Sequence, residues 1–140
     1  MSHIIPEQLK KVYFAGNGKE IEVFSPDHKR TFCYVSDAVE MIYRLAISEG
    51  SLNQSYNIGN EGPEVEIRDV VKTIVKIVGN DVKLKEMPAT EGSPSRRCPS
   101  MKKTEEVIGY KGCVSLEKGI QKTFEWYKAN VFSDNVESAK

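Results

Sequence analysis

The chain has 140 residues, which is enough for one domain with its own hydrophobic core. Its 20 basic and 20 acidic residues cancel, so the charge gives no reason to expect a nucleic-acid or membrane partner. Hydrophobic residues make up 39% and charged residues 29%, and no apolar run approaches the length of a membrane span, so the composition is typical of a soluble globular protein.

The cysteines and histidines indicate neither a metal site nor a disulfide framework. Cys33, Cys98 and Cys113 are odd in number and far apart, and they include no Cys-x-x-Cys pair. His3 and His28 have no companion ligands at helical spacing. Three reduced thiols are typical of a reducing compartment, so the sequence predicts a cytoplasmic protein.

The first part of the chain predicts alternating helices and strands. Residues 4 to 15 place apolar side chains at helical spacing, and Glu20 to Phe24 alternates polar and apolar residues as a half-buried strand does. Thr31 to Val35 is β-branched and aromatic, which predicts a short strand. A helix over 38 to 49 follows, with Asp37 as its predicted N-cap.

The second part predicts two strands, three helices and a tail. In chain order these are a strand from Gln54 to Ile58, a helix over 67–78, a strand from Val82 to Met87, a loop over 88–100, a helix near 101–108, a helix from Ser115 to about Ala129, and a polar tail over 133–140 that we expect to be disordered. Strands and helices mix without strict alternation, so the predicted fold class is α/β, in a mixed α+β arrangement.

Several segments in order resemble one protein family. They are Ile5-Pro-Glu-Gln-Leu-Lys-Lys, Gly18-Lys-Glu-Ile-Glu-Val-Phe24, Arg30-Thr-Phe-Cys-Tyr-Val-Ser-Asp37, Ser55-Tyr-Asn-Ile-Gly59, the loop Ser93-Pro-Ser-Arg-Arg-Cys-Pro-Ser-Met101 and a last helix containing Trp126-Tyr127. Together they resemble the carboxyl-terminal part of extended short-chain dehydrogenases, the NAD-dependent nucleotide-sugar epimerases, dehydratases and decarboxylases. UDP-glucuronate decarboxylases and UDP-glucose 4-epimerases are the members they resemble. The resemblance implies a nucleotide-sugar-binding domain over residues 1–132, without most of the Rossmann domain.

Two motifs that carry the family's chemistry are not in these 140 residues. The cofactor loop is Gly-x-x-Gly-x-x-Gly, and the run Gly59-Asn-Glu-Gly62 has Val65 at the third glycine position. The proton-transfer pair is Tyr-x-x-x-Lys, and none of the six tyrosines has a lysine four residues later. The resemblance therefore implies NAD for the full-length enzyme, no cofactor bound by this chain alone, and no catalytic residue within it.

The resemblance assigns substrate contacts to arginines. It implies that Arg30 contacts the diphosphate of a UDP-, dTDP-, CDP- or GDP-sugar, because a guanidinium fork meets two phosphate oxygens. The alternative is a surface arginine that pairs with Asp27 or with nothing. Arg97 falls in the loop that closes over the substrate, and Arg96 either shares that role or faces solvent.

The remaining candidates have a functional and a structural interpretation. Asn57 either hydrogen-bonds the nucleotide or stabilises its own turn. Val23 and Phe24 either line the base pocket or belong to the ordinary core. Trp126 and Tyr127 are predicted to anchor the core, because aromatic residues at helical spacing usually pack.

Three functional hypotheses follow. The first is the substrate-binding part of a nucleotide-sugar-modifying enzyme, and the second is a free-standing, non-catalytic nucleotide-sugar-binding protein. The third is an assembly fragment that joins a separate dinucleotide-binding chain. Residues 37–58 resemble a segment that packs on the Rossmann sheet, so we expect the helix over 38–49 to be exposed, covered by a second copy in a homo-oligomer, or rearranged.

Overall fold

A computed structural model describes residues 3–133. Its elements are α1 (Ile4–Ala15), β1 (Lys19–Phe24), β2 (Lys29–Arg30), α2 (Val35–Ile47), a short 3-10 helix (Glu49–Ser51), β3 (Val65–Glu66), α3 (Ile67–Val78), β4 (Val82–Met87), β5 (Arg96–Arg97), α4 (Lys102–Ile108), α5 (Leu116–Tyr127) and a short π-helix (Lys128–Phe132). This mixture of helices and small sheets confirms the predicted fold class. No helix within the described range has the length and apolar character needed to cross a bilayer.

The main core lies between a two-stranded sheet and three helices. Strands β1 and β4 pair in parallel, from Lys19 opposite Val82 to Phe24 opposite Met87. Helices α1, α3 and α5 contribute their apolar sides. The buried residues of this core are Leu9, Val12, Ile21, Val23, Ile67, Val70, Val71, Ile74, Val82, Ile120, Phe124 and Phe132.

Helix α3 forms where the periodicity predicts it. Ile67, Val70 and Ile74 are buried on one side of the helix, which is the spacing that a helical face requires. Gly79 then adopts a left-handed conformation with φ of 82°, and its N–H donates to the carbonyl of Val75. The predicted bounds of α3 and β4 are therefore confirmed.

A second, three-stranded sheet has the order β3-β2-β5. Parallel pairing of β2 with β5 sets Lys29 beside Arg96 and Arg30 beside Arg97. The strand predicted from Thr31 to Val35 is wrong: the strand comprises only Lys29–Arg30, and Val35 already begins α2. Strand preference reflects packing on a sheet, and no neighbouring described strand pairs with these residues.

The strand predicted from Gln54 to Ile58 is also wrong. This segment is irregular, and helix α4 holds it through side chains. Lys103 donates from its Nζ to the Oε1 of Gln54 at 3.0 Å and to the carbonyl of Ser55 at 3.1 Å. Thr104 donates from its hydroxyl to the carbonyl of Asn57 at 2.7 Å. Polar side chains thus take over the hydrogen bonds that a strand partner would make.

A small second core joins α2 to α4, and it leaves one side of α2 uncovered. Met41, Met101 and Ile108 are buried together there. The other side of α2 exposes large apolar side chains, between 55% and 65% of each: Val35, Val39, Ile42, Tyr43 and Ile47. This side of α2 is exposed in the single chain, and its cover by a second copy stays a prediction.

Asp37 was predicted as the N-cap of α2, and the structure shows that it does not occupy this position. Tyr34 occupies that position, and Asp37 lies in the first turn of α2 with 2% of its surface exposed. Its carboxylate accepts hydrogen bonds from the hydroxyl of Tyr110 at 2.9 Å and from the N–H groups of Cys113 at 3.0 Å and Val114 at 2.9 Å. Asp37 therefore ties α2 to the segment between α4 and α5.

The bond between Tyr110 and Asp37 predicts a loss of stability at alkaline pH. Donation to the carboxylate of Asp37, together with burial, raises the pKa of Tyr110 to about 12. An unfolded phenol titrates near pH ~10, so the unfolded chain loses a proton that the folded chain keeps. The contribution is complete below pH ~10, and the free energy of unfolding should fall as pH rises through this window. Denaturant unfolding from pH 9 to 12 should show a smaller decline in Tyr110→Phe. An equal decline in both proteins would contradict the assignment.

Of the two aromatic residues predicted to anchor the core near the end of the chain, one does so and one does not. Tyr127 is partly buried and its ring centroid lies 5.6 Å from that of Phe132, so its predicted role in the core is confirmed. Trp126 is 57% exposed, so the same prediction is wrong for Trp126. The two residues are neighbours on one helix and cannot both face the core. Of the predicted tail, all but Ser133 lies outside the described residues.

Candidate functional site

A cleft of about 680 Å³ lies where the two sheets meet the start of α1. Its walls come from six parts of the chain. They are His3 with the first turns of α1, Phe24 and Ser25 where β1 ends, residues 30–33, residues 58–60, Ile67 at the start of α3, and the segment containing Thr90, Ser93, Arg97 and Pro99. Clefts of this size are the usual binding places of small molecules.

Arg30 and Arg97 stand side by side in this cleft. They are register partners in the parallel β2–β5 pair, and both line the cavity. Burial lowers the pKa of Arg30, and the positive charge of Arg97 lowers it further. Two neighbouring cations of this kind favour an anion between them.

Arg30 is held in place by the loop that precedes β5. Its Nη1 donates to the carbonyl of Lys29 at 2.7 Å, and its Nη2 donates to the carbonyl of Pro94 at 2.7 Å and to Ser93 Oγ at 3.3 Å. No carboxylate in residues 3–133 forms an ion pair with it, so the predicted alternative of a pair with Asp27 is not observed. The guanidinium of Arg30 is therefore held in place without an ion pair to a carboxylate of residues 3–133, and Glu7, which lines the same cleft, pairs with Lys11.

Arg96 lies outside the cleft, although it is the neighbour of Arg97. Its guanidinium donates two hydrogen bonds to the carboxylate of Glu64, from Nε at 2.6 Å and from Nη2 at 2.8 Å. Successive residues of a strand face opposite sides, so β5 can present only one of the two arginines to the cleft. Of the two interpretations of Arg96, the position found is the solvent-facing one, in an ion pair with Glu64.

The two candidates at the end of β1 also separate. Phe24 lines the cleft with 44% of its surface exposed. Val23 is 1% exposed and belongs to the main core. The strand alternation is again the cause, since Val23 points to the helices and Phe24 away from them.

Asn57 lies beside the cleft rather than in its wall. Its amide donates to the carbonyl of Ser100 at 3.0 Å, which joins the irregular segment to the start of α4. The next residues, Ile58, Gly59 and Asn60, do line the cleft. Asn57 therefore helps to position part of the wall through a distant carbonyl and not, as its structural interpretation had it, by stabilising its own turn.

Sequence reasoning missed most polar residues of the wall, among them Gln8, Asn60 and Ser93. Asn60 donates to the carbonyl of Phe32 at 2.8 Å, and Ser93 contacts Arg30. Of these three, only Gln8 could have been recognised from the sequence. It lies one turn after Ile4 and next to Leu9, on the inner side of α1, where a polar residue is unusual.

The lining of the cleft suits a ligand with an anionic and an apolar part. The arginines supply two positive charges, and Ile4, Phe24 and Ile58 supply apolar surface. The described part of the chain contains no group of three His, Cys, Asp or Glu side chains able to hold a metal ion.

Comparison with known proteins gives relatives along most of the chain. No family model matches the sequence. UDP-glucuronic acid decarboxylase 6 of Arabidopsis thaliana is 36% identical over 104 residues, which are 74% of this chain and 29% of that enzyme. dTDP-glucose 4,6-dehydratase 1 of Escherichia coli (strain K12) is 31% identical in an alignment 146 residues long that covers 95% of this chain and 40% of that enzyme. The chain thus spans roughly a third of the length of these relatives.

The fold agrees with the sequence comparison. The crystal structure of the Bordetella bronchiseptica enzyme WbmF in complex with NAD+ and UDP superposes with a TM-score of 0.75 at 26% identity. The superposition covers 94% of this chain and 37% of WbmF. Fold and sequence together show that the chain belongs to the extended short-chain dehydrogenase family of NAD-dependent nucleotide-sugar epimerases and dehydratases, and that it corresponds to the carboxyl-terminal portion of its members.

Proposed function

We propose that this chain is the substrate-binding portion of an NAD-dependent nucleotide-sugar epimerase, dehydratase or decarboxylase. It holds the nucleoside diphosphate of the sugar nucleotide. The observation that carries the proposal is the pair Arg30 and Arg97, set side by side in one cleft without carboxylate partners in the described chain. The UDP bound to the related WbmF structure supports the same class of ligand.

The two guanidinium groups match a diphosphate in charge and in shape. A nucleoside diphosphate linked to a sugar carries two negative charges, one on each phosphate, and each guanidinium fork can donate to two oxygens. Arg30 is pre-positioned by Ser93 and Pro94, so little side-chain freedom is lost when the ligand binds. The apolar wall with Phe24 then takes the nucleoside.

The residues of this chain do not fit a bound NAD. No glycine-rich turn between a strand and a helix occurs in residues 3–133, and such a turn is what lets backbone N–H groups approach dinucleotide phosphates. In full-length members NAD supplies reversible hydride transfer at the sugar, and we assign no step of that chemistry to this chain. Its own part is to bind and orient the nucleotide. The proposed setting is the cytoplasm, as for other chains with only reduced thiols.

Calorimetric titration of the 140-residue protein with UDP tests this function. UDP should give saturable binding, and NAD under the same conditions should give none. Titrations with dTDP, CDP and GDP then rank the bases. If all four diphosphates remain unbound at millimolar concentration, the proposal is wrong.

The exposed side of α2 supports a second candidate, an assembly role. The five exposed apolar side chains of α2 form a surface of the kind that usually marks a protein interface. We propose that this surface docks on a dinucleotide-binding domain. In its absence the surface should pair with a second copy or bind apolar dyes.

The double substitution Val39→Gln with Ile42→Gln tests this docking surface. Both side chains are more than half exposed, so the change should leave the free energy of unfolding nearly unaltered. Self-association in light scattering and the fluorescence of a bound apolar dye should both decrease. A wild-type protein that stays monomeric and binds no dye would count against the surface.

A further inference from the structure

We propose that Ser25 is a positioning residue for Arg30. Its hydroxyl anchors the turn of residues 90–93, and this turn in its place holds the guanidinium of Arg30. The inference rests on the proposed nucleotide-binding function and adds a residue to the same site. Ser25 lies directly after β1 and lines the cleft, and it acts on the ligand through Arg30 rather than by touching the diphosphate.

The first observation is the backbone conformation of Ser25. Its φ is 53°, in the left-handed region that glycine adopts freely and that residues with a side chain rarely enter. Among the described non-glycine residues, Asn53 also has a positive φ, and asparagine tolerates that region better than most residues do. Glycine at position 25 would avoid the strain, so a serine there indicates that the hydroxyl has a use.

The second observation is what this hydroxyl binds. Ser25 is 6% exposed, and its Oγ accepts a hydrogen bond from the N–H of Thr90 at 3.0 Å. The N–H of Ser25 donates to the carbonyl of Pro88 at 3.4 Å, which is long for such a bond. Of these two links between the end of β1 and the loop after β4, the one made by the hydroxyl is therefore the shorter.

The third observation is that the hydrogen bonds continue from Thr90 to Arg30. The carbonyl of Thr90 accepts from the N–H of Ser93 at 3.1 Å, which closes the turn. The hydroxyl of Ser93 accepts from Nη2 of Arg30 at 3.3 Å, and the carbonyl of Pro94 accepts from the same nitrogen at 2.7 Å. An unbroken series of hydrogen bonds thus joins Ser25 to the guanidinium in the cleft.

This series of bonds affects binding more than it affects the fold. A guanidinium that is already fixed loses less side-chain freedom when it meets a ligand, so the anchor of the turn contributes to affinity. Without the hydroxyl of Ser25, the turn would still hold Arg30 but would itself be tied less firmly to β1. Thr90 is exposed, so water can take over the bond to its N–H and the fold loses little.

The test compares Ser25→Gly with Ser25→Ala, because both remove the hydroxyl and only glycine relieves the strained φ. Calorimetry with UDP should show an affinity about three- to tenfold lower than in the wild type, and equally so in both variants. The melting temperature should be higher for Ser25→Gly than for Ser25→Ala, since alanine keeps the strain. A glycine variant that binds UDP as tightly as the wild type would show that the hydroxyl is not needed and overturn the inference.

Asn53→Gly is the matched control. Asn53 is exposed, has a φ of 56° and lies outside the wall of the cleft, so its replacement by glycine should leave the affinity for UDP unchanged. Amide hydrogen exchange of the ligand-free proteins checks the path directly. The N–H groups of Thr90 and Ser93 should exchange faster in Ser25→Gly than in the wild type or the control. Unaltered exchange at both groups would contradict the proposed anchor.

Combining Ser25→Gly with Arg30→Met separates positioning from direct contact. If Ser25 acts through Arg30, the double variant should bind UDP no more weakly than Arg30→Met alone. A further loss as large as that in the wild-type background would mean that Ser25 touches the ligand itself, and the inference would be wrong. The proposed function would still stand in that case, because the wild type binds UDP. If the wild type does not bind UDP, the proposed function and this inference fall together.

Discussion

Replacing Arg97 by methionine should weaken UDP binding by roughly 10- to 100-fold, the usual worth of hydrogen bonds to a charged group. Arg97 is exposed at the cleft and forms no ion pair within the described chain, so its loss removes a ligand contact without breaking an internal one. The free energy of unfolding should therefore stay close to that of the wild type. Titration calorimetry and denaturant unfolding measure the two quantities.

Arg96→Met is the matched control. It removes the same kind of side chain from the adjacent position, where the guanidinium binds Glu64 and lies outside the cleft. UDP affinity should change little, and the lost surface ion pair should cost about 1 kcal/mol at most. If both variants lose affinity equally, general electrostatic attraction explains binding and the specific role of Arg97 is wrong.

Arg30→Met should behave differently from Arg97→Met. The guanidinium of Arg30 also donates to Ser93 and to the carbonyl of Pro94, so its loss should loosen the loop before β5 as well as remove a charge from the cleft. Affinity for UDP should decrease at least as much as in Arg97→Met, with a measurable loss of stability in addition.

Replacing Asp37 by alanine should destabilise the protein by about 2–4 kcal/mol, because several buried donors lose their acceptor at once. The N–H groups of Cys113 and Val114 and the hydroxyl of Tyr110 all donate to this carboxylate. Asp69→Ala is the control, since the carboxylate of Asp69 forms an exposed pair with Lys72 and no other ion pair among residues 3–133. A loss in Asp37→Ala no larger than in the control would contradict the assigned role.

The stabilisation by the carboxylate of Asp37 should depend on pH. Burial raises the pKa of Asp37, but hydrogen bonds from Val114, Tyr110 and Cys113 outweigh it, and the pKa is lowered overall. The stabilisation is complete above the unfolded value near pH ~4 and is lost as pH falls through the lower folded pKa. Asp37→Asn, which cannot titrate, should lose less stability below pH 4 than the wild type.

The elements found from sequence are those that local patterns determine. Helix α3 combines a regular apolar face with Gly79 as its stop, and β4 alternates, so both were predicted with their correct bounds. The strand predictions for the segments that begin at Thr31 and Gln54 were wrong because a strand needs a neighbouring strand, and the pairing of strands depends on the whole fold. Asp37 was placed at a helix cap for a similar reason, as its partners lie more than seventy residues away.

Within the site, the sequence predicted which residue types take part, but not which side of a strand each side chain faces. Arg96 and Arg97 are adjacent, and only the register of β2 with β5 decides that Arg97 shares the cleft with Arg30. Val23 and Phe24 present the same difficulty at the end of β1. Resemblance to a family supplied the candidates, and strand alternation then sorted them.

The parallel pairing of β1 with β4 affects how quickly this protein can fold. Close to half the chain separates the two strands, and that length must be closed into a loop before the pair gains any contact energy. Helix α3 can form early because its contacts are local, whereas the cleft needs residues from both ends of the loop. We therefore expect refolding in milliseconds to seconds, as is usual for non-local contacts, with binding competence regained only in the last phase.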